Sequence, residues 1–172
     1  FVSFGARRLI TRGLELNDTA LPEPEVDALL ATFLAYYADN IAAESRPYPS
    51  VLDVLDRAAA RGVTLAVCTN KLESLSVQLL KALDMEKYFG AIVGPDTIGV
   101  AKPDPRPYQE ALRRIGRDGQ GSLMVGDSET DIRTGQNAGV PVLAVTFGYT
   151  AQHVRAFSPT HMIDHYDEAW PI

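Results

Sequence analysis

Five polar side chains, in three short segments between apolar runs, are of the types that a phosphoryl-transfer site requires. They are Thr69, Asn70, Lys102, Asp127 and Asp131. A hydroxyl and an amide can donate hydrogen bonds to phosphoryl oxygens, and a lysine can neutralise the charge that develops on them. Carboxylates are hard oxygen ligands of the kind that Mg²⁺ prefers. Together the five residues predict a magnesium-assisted phosphoryl-transfer site.

Each segment also has a purely structural interpretation. Thr69 or Asn70 could serve only as the N-cap of a following helix, because Thr and Asn are favoured at that position. Asp127 and Asp131, four residues apart at a predicted helix start, suit the positive end of a helix dipole. Lys102 could be a solvated loop charge. The phosphoryl-transfer interpretation therefore depends on the three segments meeting at one edge of a sheet.

The apolar pattern predicts an α/β fold: a Rossmann-like, mostly parallel sheet flanked by helices, with a small helical cap on its N-terminal side. Short, almost wholly apolar strands alternate with helices after about residue 50, which indicates strands buried on both faces. Before that point apolar residues recur at helical spacing. Predicted helices cover 6–16, 26–41, 51–60, 72–83, 104–115 and 131–138, with a short one near 151; predicted strands cover 63–68, 91–93, 122–125, 142–145 and 162–163. We expect a cap at 1–46 and a core at 47–172.

Composition and charge exclude several classes of protein. The 172 residues carry 16 basic and 22 acidic side chains, a net charge of −6, whereas a nucleic-acid binder usually carries a basic patch. The longest mostly apolar stretch, 28–38, is too short to span a bilayer. A single cysteine, Cys68, leaves no internal disulfide and favours a reducing compartment such as the cytoplasm. No feature of the sequence predicts an oligomeric state.

The order of the three segments resembles the second, third and fourth motifs of the haloacid dehalogenase superfamily of phosphatases. The quoted segments are Cys-Thr-Asn-Lys at 68–71, Ala-Lys-Pro-Asp-Pro at 101–105, and Val-Gly-Asp-Ser at 125–128 followed by Asp131. They resemble the phosphoglycolate phosphatase branch most closely. Two further segments resemble the same branch. Arg-Pro-Tyr-Pro at 46–49 is similar to that branch's link from cap to core, although the branch's usual glycine is Ser50 here. Gly-Ala-Arg-Arg at 5–8 is similar to its cap loop.

The resemblance implies a role for each residue. Thr69 donates its hydroxyl to the transferring phosphoryl group, and Asn70 assists with its backbone N–H and orients the substrate. Lys102 neutralises the phosphoryl group and the attacking carboxylate. Asp127 ligates Mg²⁺, and Asp131 supports the metal directly or through water. Lys71 belongs to the same motif and is expected to bind substrate.

The substrate implied by the resemblance is a small phosphorylated metabolite such as 2-phosphoglycolate. Arg7, with Arg8, could bind its carboxylate, since a guanidinium presents a fork that matches carboxylate geometry. The alternative for both arginines is a solvated helix face. A dehalogenase fits less well because it needs no Mg²⁺, whereas a β-phosphoglucomutase-like enzyme would share this core.

The superfamily's first motif, Asp-x-Asp-Gly-Thr, does not occur in these 172 residues. That motif carries the aspartate nucleophile that becomes phosphorylated, and the resemblance places it on the central strand of the sheet. We therefore expect the chain as written to be inactive and its sheet to have a gap that an upstream segment, a partner chain or collapse of the two halves must fill. The alternative function is a non-catalytic pseudophosphatase that serves as a binding or scaffolding module.

Overall fold

A computed structural model describes residues 5–170 of the chain, which fold into a helical pair followed by an alternating α/β region. The predicted helices and strands occur in the expected order, with most boundaries shifted by one to three residues, and the short helix at Pro95–Ile98 was not predicted. The α-helices are α1 (Ala6–Leu16), α2 (Glu23–Asp39), α3 (Val51–Ala60), α4 (Glu73–Ala82), α5 (Pro95–Ile98), α6 (Arg106–Arg114) and α7 (Glu129–Ala138). The strands are β1 (Leu65–Cys68), β2 (Phe89–Val93), β3 (Met124–Gly126), β4 (Val142–Val145) and β5 (His161–Ile163). Short 3₁₀ turns cover Glu86–Tyr88, Val154–Phe157 and Tyr166–Ala169.

Helices α1 and α2 pack against each other and make up the part of the cap, predicted at 1–46, that lies within the described residues. Pro24 stands in the first turn of α2, where a missing N–H costs no intrahelical bond. The helix is less one-sided than its apolar spacing indicates: Val26 is buried, whereas Leu29 and Tyr36 are exposed. The side of α2 that carries Leu29 and Tyr36 therefore lacks a packing partner among residues 5–170.

Aromatic packing joins the segment between cap and core to the core itself. Tyr48 packs edge-on against Phe147, with ring centroids 5.1 Å apart, and Phe147 packs edge-on against Tyr166 at 5.2 Å. The amide of Gln78 also donates to the carbonyl of Ala38 at the end of α2. These contacts fix the cap beside the carboxyl ends of the strands.

The strands form two parallel groups, β1–β2 and β3–β4–β5. Parallel pairing is what the apolar strands predict, but the expectation that every strand is buried on both faces is wrong. All four residues of β4 are buried, whereas all four residues of β1 are only half-buried and Val125 of β3 is 46% exposed. The two strands that lie nearest the centre are the more exposed ones because they do not pair with each other. We call the space between β1 and β3 the slot.

Helix α6 covers one side of the slot, because it contacts β1 and β2 as well as α7. Beneath it lies the main core cluster, in which Tyr108 of α6 packs with Met124, Ile132 and Val142. Cys68, the last residue of β1, also packs against this cluster. Within residues 5–170 the two half-sheets are therefore joined through a helix and side chains rather than through strand pairing.

The thiol of Cys68 should react slowly with alkylating reagents. Burial raises the pKa of Cys68 to about 11, an effect that the nearby Lys102 charge only partly offsets. Because the thiolate is the nucleophile, we expect iodoacetamide to label the folded chain about 100-fold more slowly at pH 8 than the urea-unfolded chain. Mass spectrometry of timed samples measures both rates. Equal rates would show that Cys68 is not enclosed as described.

Candidate functional site

A cavity of about 650 Å³ opens between the cap helices and the carboxyl ends of β1 and β3. All three polar segments reach it, as the position of strand ends in a parallel sheet predicts. Its polar lining includes Arg7, Thr69, Asn70, Lys71, Lys102, Asp127 and Asp131. Arg8, which the sequence also offered as a carboxylate binder, is not part of the lining and pairs with Glu15 of its own helix. The cap contributes an apolar wall of Leu9, Leu30, Phe33 and Leu34.

Lys102 lies at the upper end of the slot, where it bridges the two half-sheets. Its Nζ donates to the carbonyl oxygen of Cys68 at 2.7 Å and to Oδ1 of Asp131 at 2.5 Å. The side chains of Lys102 and Asp131 are only 9% and 8% exposed. The solvated-loop interpretation of Lys102 is therefore wrong: its charge is buried and paired.

The Asn70 side chain fixes the backbone of Lys102. Its Oδ1 accepts from the backbone N–H of Lys102 at 2.8 Å, and its Nδ2 donates to the backbone carbonyl of Lys102 at 3.0 Å. These two bonds align the loop that carries the lysine. The expectation of an Asn70 backbone N–H aimed at substrate stays a prediction.

Neither Thr69 nor Asn70 caps α4. The N-cap position is Leu72, and the first helical N–H, of Glu73, donates instead to Oδ1 of Asp96 at 2.8 Å. Thr69 Oγ1 accepts from the N–H of Lys71 at 3.1 Å, so its hydroxyl proton is left to donate into the cavity. The capping interpretation of this segment is wrong, and its polar groups line the cavity.

Asp131 is anchored within the protein through both carboxylate oxygens. Oδ1 pairs with Lys102, and Oδ2 accepts from the backbone N–H groups of Asp127 and Ser128 at 3.1 Å each and from Ser128 Oγ at 2.7 Å. Burial acts to raise the pKa of Asp131, but Lys102 and Ser128 outweigh it and hold that pKa below its ordinary value. Ser128 is the N-cap of α7 and Asp131 completes its capping box. Asp131 thus serves the helix start and positions Lys102.

Asp127 is in a different environment, and it fits one ligand position of a magnesium site. Burial raises its pKa above the ordinary value, although the backbone N–H of Tyr149 opposes the shift. No lysine, arginine or histidine within residues 5–170 forms an ion pair with Asp127. A half-buried carboxylate in that position would gain a neutralising charge from a divalent cation. The described residues contain no cluster of three His, Cys, Asp or Glu side chains able to hold a metal, so Asp127 does not belong to a complete site of that kind within them.

Sequence reasoning missed the turn after β4, which holds Asp127 in place. The backbone N–H of Tyr149 donates to Oδ2 of Asp127 at 2.9 Å, and Tyr149 also lines the cavity. Gly148 allows this approach, because a side-chain carbon there would overlap the Asp127 carboxylate. A signal was present: the turn follows an apolar strand, as the other site segments do.

Substitution of Gly148 by alanine should therefore weaken Mg²⁺ binding without unfolding the protein. The added methyl group displaces Asp127, and loss of a positioning contact typically costs about 10- to 100-fold in metal affinity. Competition of Mg²⁺ against Mn²⁺, followed by paramagnetic line broadening, measures that affinity. Gly135→Ala is the matched control, because its methyl group would overlap Val142 in the core instead. It should lower thermal stability and leave metal affinity unchanged. Equal metal affinity in both variants would contradict the role of Gly148.

Arg7 and Lys71 differ in the partners they have. Arg7 donates to Glu23 at 2.9 Å and also to Asp27, both on α2. Lys71 donates its ammonium to the hydroxyl of Tyr37 on α2 and lies 4.1 Å from the centre of that ring. Both line the cavity, but Arg7 is already paired with two carboxylates of the cap.

Comparison with known proteins gives consistent results along the chain. Residues 11–145 match the family model described as haloacid dehalogenase-like hydrolase. The chain is 47% identical over 167 residues to a phosphoglycolate phosphatase of Mesorhizobium japonicum, covering 97% of this chain and 74% of that protein. It is 43% identical to a phosphoglycolate phosphatase of Agrobacterium fabrum, covering 99% and 73%.

A solved structure gives the same picture. The crystal structure of a predicted phosphoglycolate phosphatase from Haemophilus somnus superposes with a TM-score of 0.89 at 28% identity, covering 98% of this chain and 77% of that one. The family model spans well over half of the 172 residues, and the relatives are similar over nearly all of them. The chain therefore belongs to the haloacid dehalogenase-like hydrolase family.

Proposed function

We propose that the chain is part of a Mg²⁺-dependent phosphomonoester hydrolase that acts on a small phosphate ester such as 2-phosphoglycolate. The observation that carries the proposal is the convergence of Thr69, Lys102 and Asp127 on one cavity. A hydroxyl donor, a buried cation and a carboxylate without a cationic partner are the groups that a phosphate monoester and its metal need. Relatives named phosphoglycolate phosphatase support the choice of substrate.

Each residue has a physical task in this proposal. Thr69 donates to a non-bridging phosphoryl oxygen, and Lys102, held by Cys68 and Asp131, stabilises negative charge on the same group. Asp127 offers a carboxylate oxygen to Mg²⁺. When bound, Mg²⁺ supplies further neutralisation of the phosphate charge. Asp131, assigned to the metal from the sequence, is better suited to positioning Lys102, because its oxygens already accept bonds from protein donors.

The covalent step requires a carboxylate that these 172 residues do not contain as Asp-x-Asp-Gly-Thr. We propose that an aspartate from outside this sequence attacks phosphorus, that the alcohol leaves with a proton from a general acid, and that water then hydrolyses the aspartyl-phosphate. The slot beside Lys102 is where such a strand would deliver it. The division into a cap at 1–46 and a core at 47–172 belongs to the same proposal.

The non-catalytic alternative is not favoured. A scaffold does not need the buried pair of Lys102 and Asp131 at the mouth of a cavity, because apolar residues of similar volume would often stabilise the fold as well as a buried ion pair does. Relatives at 47% and 43% identity are named as phosphatases. Among the described residues no helix is long and apolar enough to cross a membrane. A reducing compartment remains a proposal that rests on the single cysteine.

The test compares the 172-residue chain with a version extended at its N-terminus by a segment that carries Asp-x-Asp-Gly-Thr. We expect Mg²⁺-dependent phosphate release from 2-phosphoglycolate by the extended protein and none by the chain alone. An extended protein with the first aspartate of the motif replaced by asparagine is the control. Turnover of phosphate esters by the unextended chain would overturn the proposal that the nucleophile lies outside these 172 residues. An extended protein that is inactive on every member of a panel of phosphate esters would overturn the proposed phosphatase function.

A further inference from the structure

Three cations line the cavity, and they are not equivalent. Arg7 is neutralised by Glu23 and Asp27, and Lys102 by Asp131. Lys71 has no carboxylate partner within residues 5–170; its ammonium contacts the hydroxyl and the ring face of Tyr37 instead. Lys102 is assigned to the phosphoryl group in the proposed function, and Arg7 is paired within the cap, so Lys71 is the cation left for a second anionic group of the ligand.

Tyr37 is a cap residue that contacts that lysine. It lies on α2, opposite the loop that carries Lys71, and its ring stacks on Phe33 with centroids 6.0 Å apart and planes 7° from parallel. The neighbouring side chains of the cap wall, Leu30, Phe33 and Leu34, are apolar. A lysine stem is flexible, so a fixed aromatic ring and hydroxyl restrict where its ammonium can lie.

We propose that Tyr37 determines specificity by holding the Lys71 ammonium over the cavity, where it receives a carboxylate on the leaving group of the phosphate ester. The inference rests on the proposed function and adds to it a residue of the cap. One ammonium hydrogen goes to the Tyr37 oxygen, which leaves two for the carboxylate. The Tyr37 hydroxyl can donate its own hydrogen to the same carboxylate.

The proposal also changes the role expected of Arg7. A guanidinium that is already paired with two carboxylates on α2 would have to break those bonds to bind a substrate. Lys71 has no ion pair to break within residues 5–170, because its partner there is a tyrosine hydroxyl and ring, which attract a cation without neutralising its charge. Arg7 then orients the start of α1 against α2, and Lys71 contacts the substrate carboxylate.

The experiment measures binding of two ligands in excess Mg²⁺ by NMR titration, with the extended protein whose first motif aspartate is replaced by asparagine so that bound ester is not turned over. 2-Phosphoglycolate carries the carboxylate, and ethyl phosphate is of similar size without it. We expect Tyr37→Phe to weaken 2-phosphoglycolate about tenfold, the scale of one hydrogen bond to a charged group, and to leave ethyl phosphate unchanged. Tyr36→Phe is the matched control, because Tyr36 is the next residue of the same helix and is 70% exposed.

A double-mutant cycle separates this role from a merely structural one. Lys71→Met should abolish the preference for the carboxylate ligand, and adding Tyr37→Phe to it should cost nothing more. Additive losses, or equal weakening of both ligands by Tyr37→Phe, would overturn the inference while the phosphatase proposal stands. An extended protein that binds neither phosphate ester would instead overturn the proposed function, and with it this inference.

Discussion

Replacing Lys102 by methionine should destabilise the protein and abolish its phosphate binding together. Methionine keeps the apolar stem but removes the charge, so the Asp131 carboxylate is left buried without its cation. Breaking one side of a buried ion pair costs about 3–5 kcal/mol, a large part of the roughly 5–15 kcal/mol that holds a domain together. Urea unfolding monitored by circular dichroism measures the loss. In an extended, active protein the same change should cost several kcal/mol of transition-state stabilisation.

An exposed pair of similar length provides the control. Lys87 donates to Asp84 at 2.6 Å, but these side chains are 57% and 87% exposed. Lys87→Met should therefore leave the free energy of unfolding nearly unchanged. Equal effects of the two lysine substitutions would show that the Lys102 bridge is not buried as described.

The same bridge sets a pH dependence. The folded pKa of Asp131 lies below its ordinary value, so the pair stabilises the fold above that ordinary value, and the stabilisation is lost as pH falls through the folded pKa. Lys102→Met removes the main cause of the lowered pKa. Stability of the variant should then no longer rise across this acid range as it does in the parent.

Replacing Asp127 by asparagine should have opposite effects on stability and function. In the extended protein we expect about a 10²- to 10³-fold loss of Mg²⁺-dependent activity, partly recovered at higher Mg²⁺, because one charge at the metal is removed. In the metal-free 172-residue chain we expect greater stability at neutral pH. Burial raises the pKa of Asp127, so its ionised form disfavours folding as pH rises above the ordinary carboxylate value. Asparagine can still accept from the N–H of Tyr149.

Asp104→Asn is the control for the expected stability change of Asp127→Asn in the metal-free chain. Hydrogen bonds from Arg106 lower the pKa of Asp104 to about 2, so loss of its charge should destabilise rather than stabilise. Thermal unfolding without metal compares the stability of the parent chain, Asp127→Asn and Asp104→Asn. A parent that is more stable than Asp127→Asn without metal, or unchanged activity of Asp127→Asn at low Mg²⁺, would contradict the assignment of Asp127.

The site residues were predictable from the sequence because strand ends in a parallel sheet meet at one edge. Their partners were not, because those are set by tertiary packing. Asn70 binds the backbone of a residue 32 positions away, and Tyr149 reaches Asp127 across 22. The apolar composition of β1 and β3 predicted that both strands are buried, but the burial of a strand also depends on whether another strand lies beside it. The edges of β1 and β3 that face the slot have no such neighbour among residues 5–170. The Asp131 carboxylate both completes the capping box of α7 and pairs with Lys102, whereas its role at the metal stays a prediction.

The slot between β1 and β3 has a consequence for how the molecule opens. Hydrogen bonds between strands normally join a whole sheet into one cooperative unit. Among residues 5–170, the two half-sheets are joined instead by α6, by the core beneath it and by the Lys102 side chain. Regions linked mainly by side-chain packing can open as separate foldons with their own free energies. We therefore expect the amide hydrogens of β1–β2 and of β3–β4–β5 to exchange with solvent as two groups. A segment seated in the slot would merge the groups into one, so occupancy of the slot controls both the completeness of the site and the cooperativity of the fold.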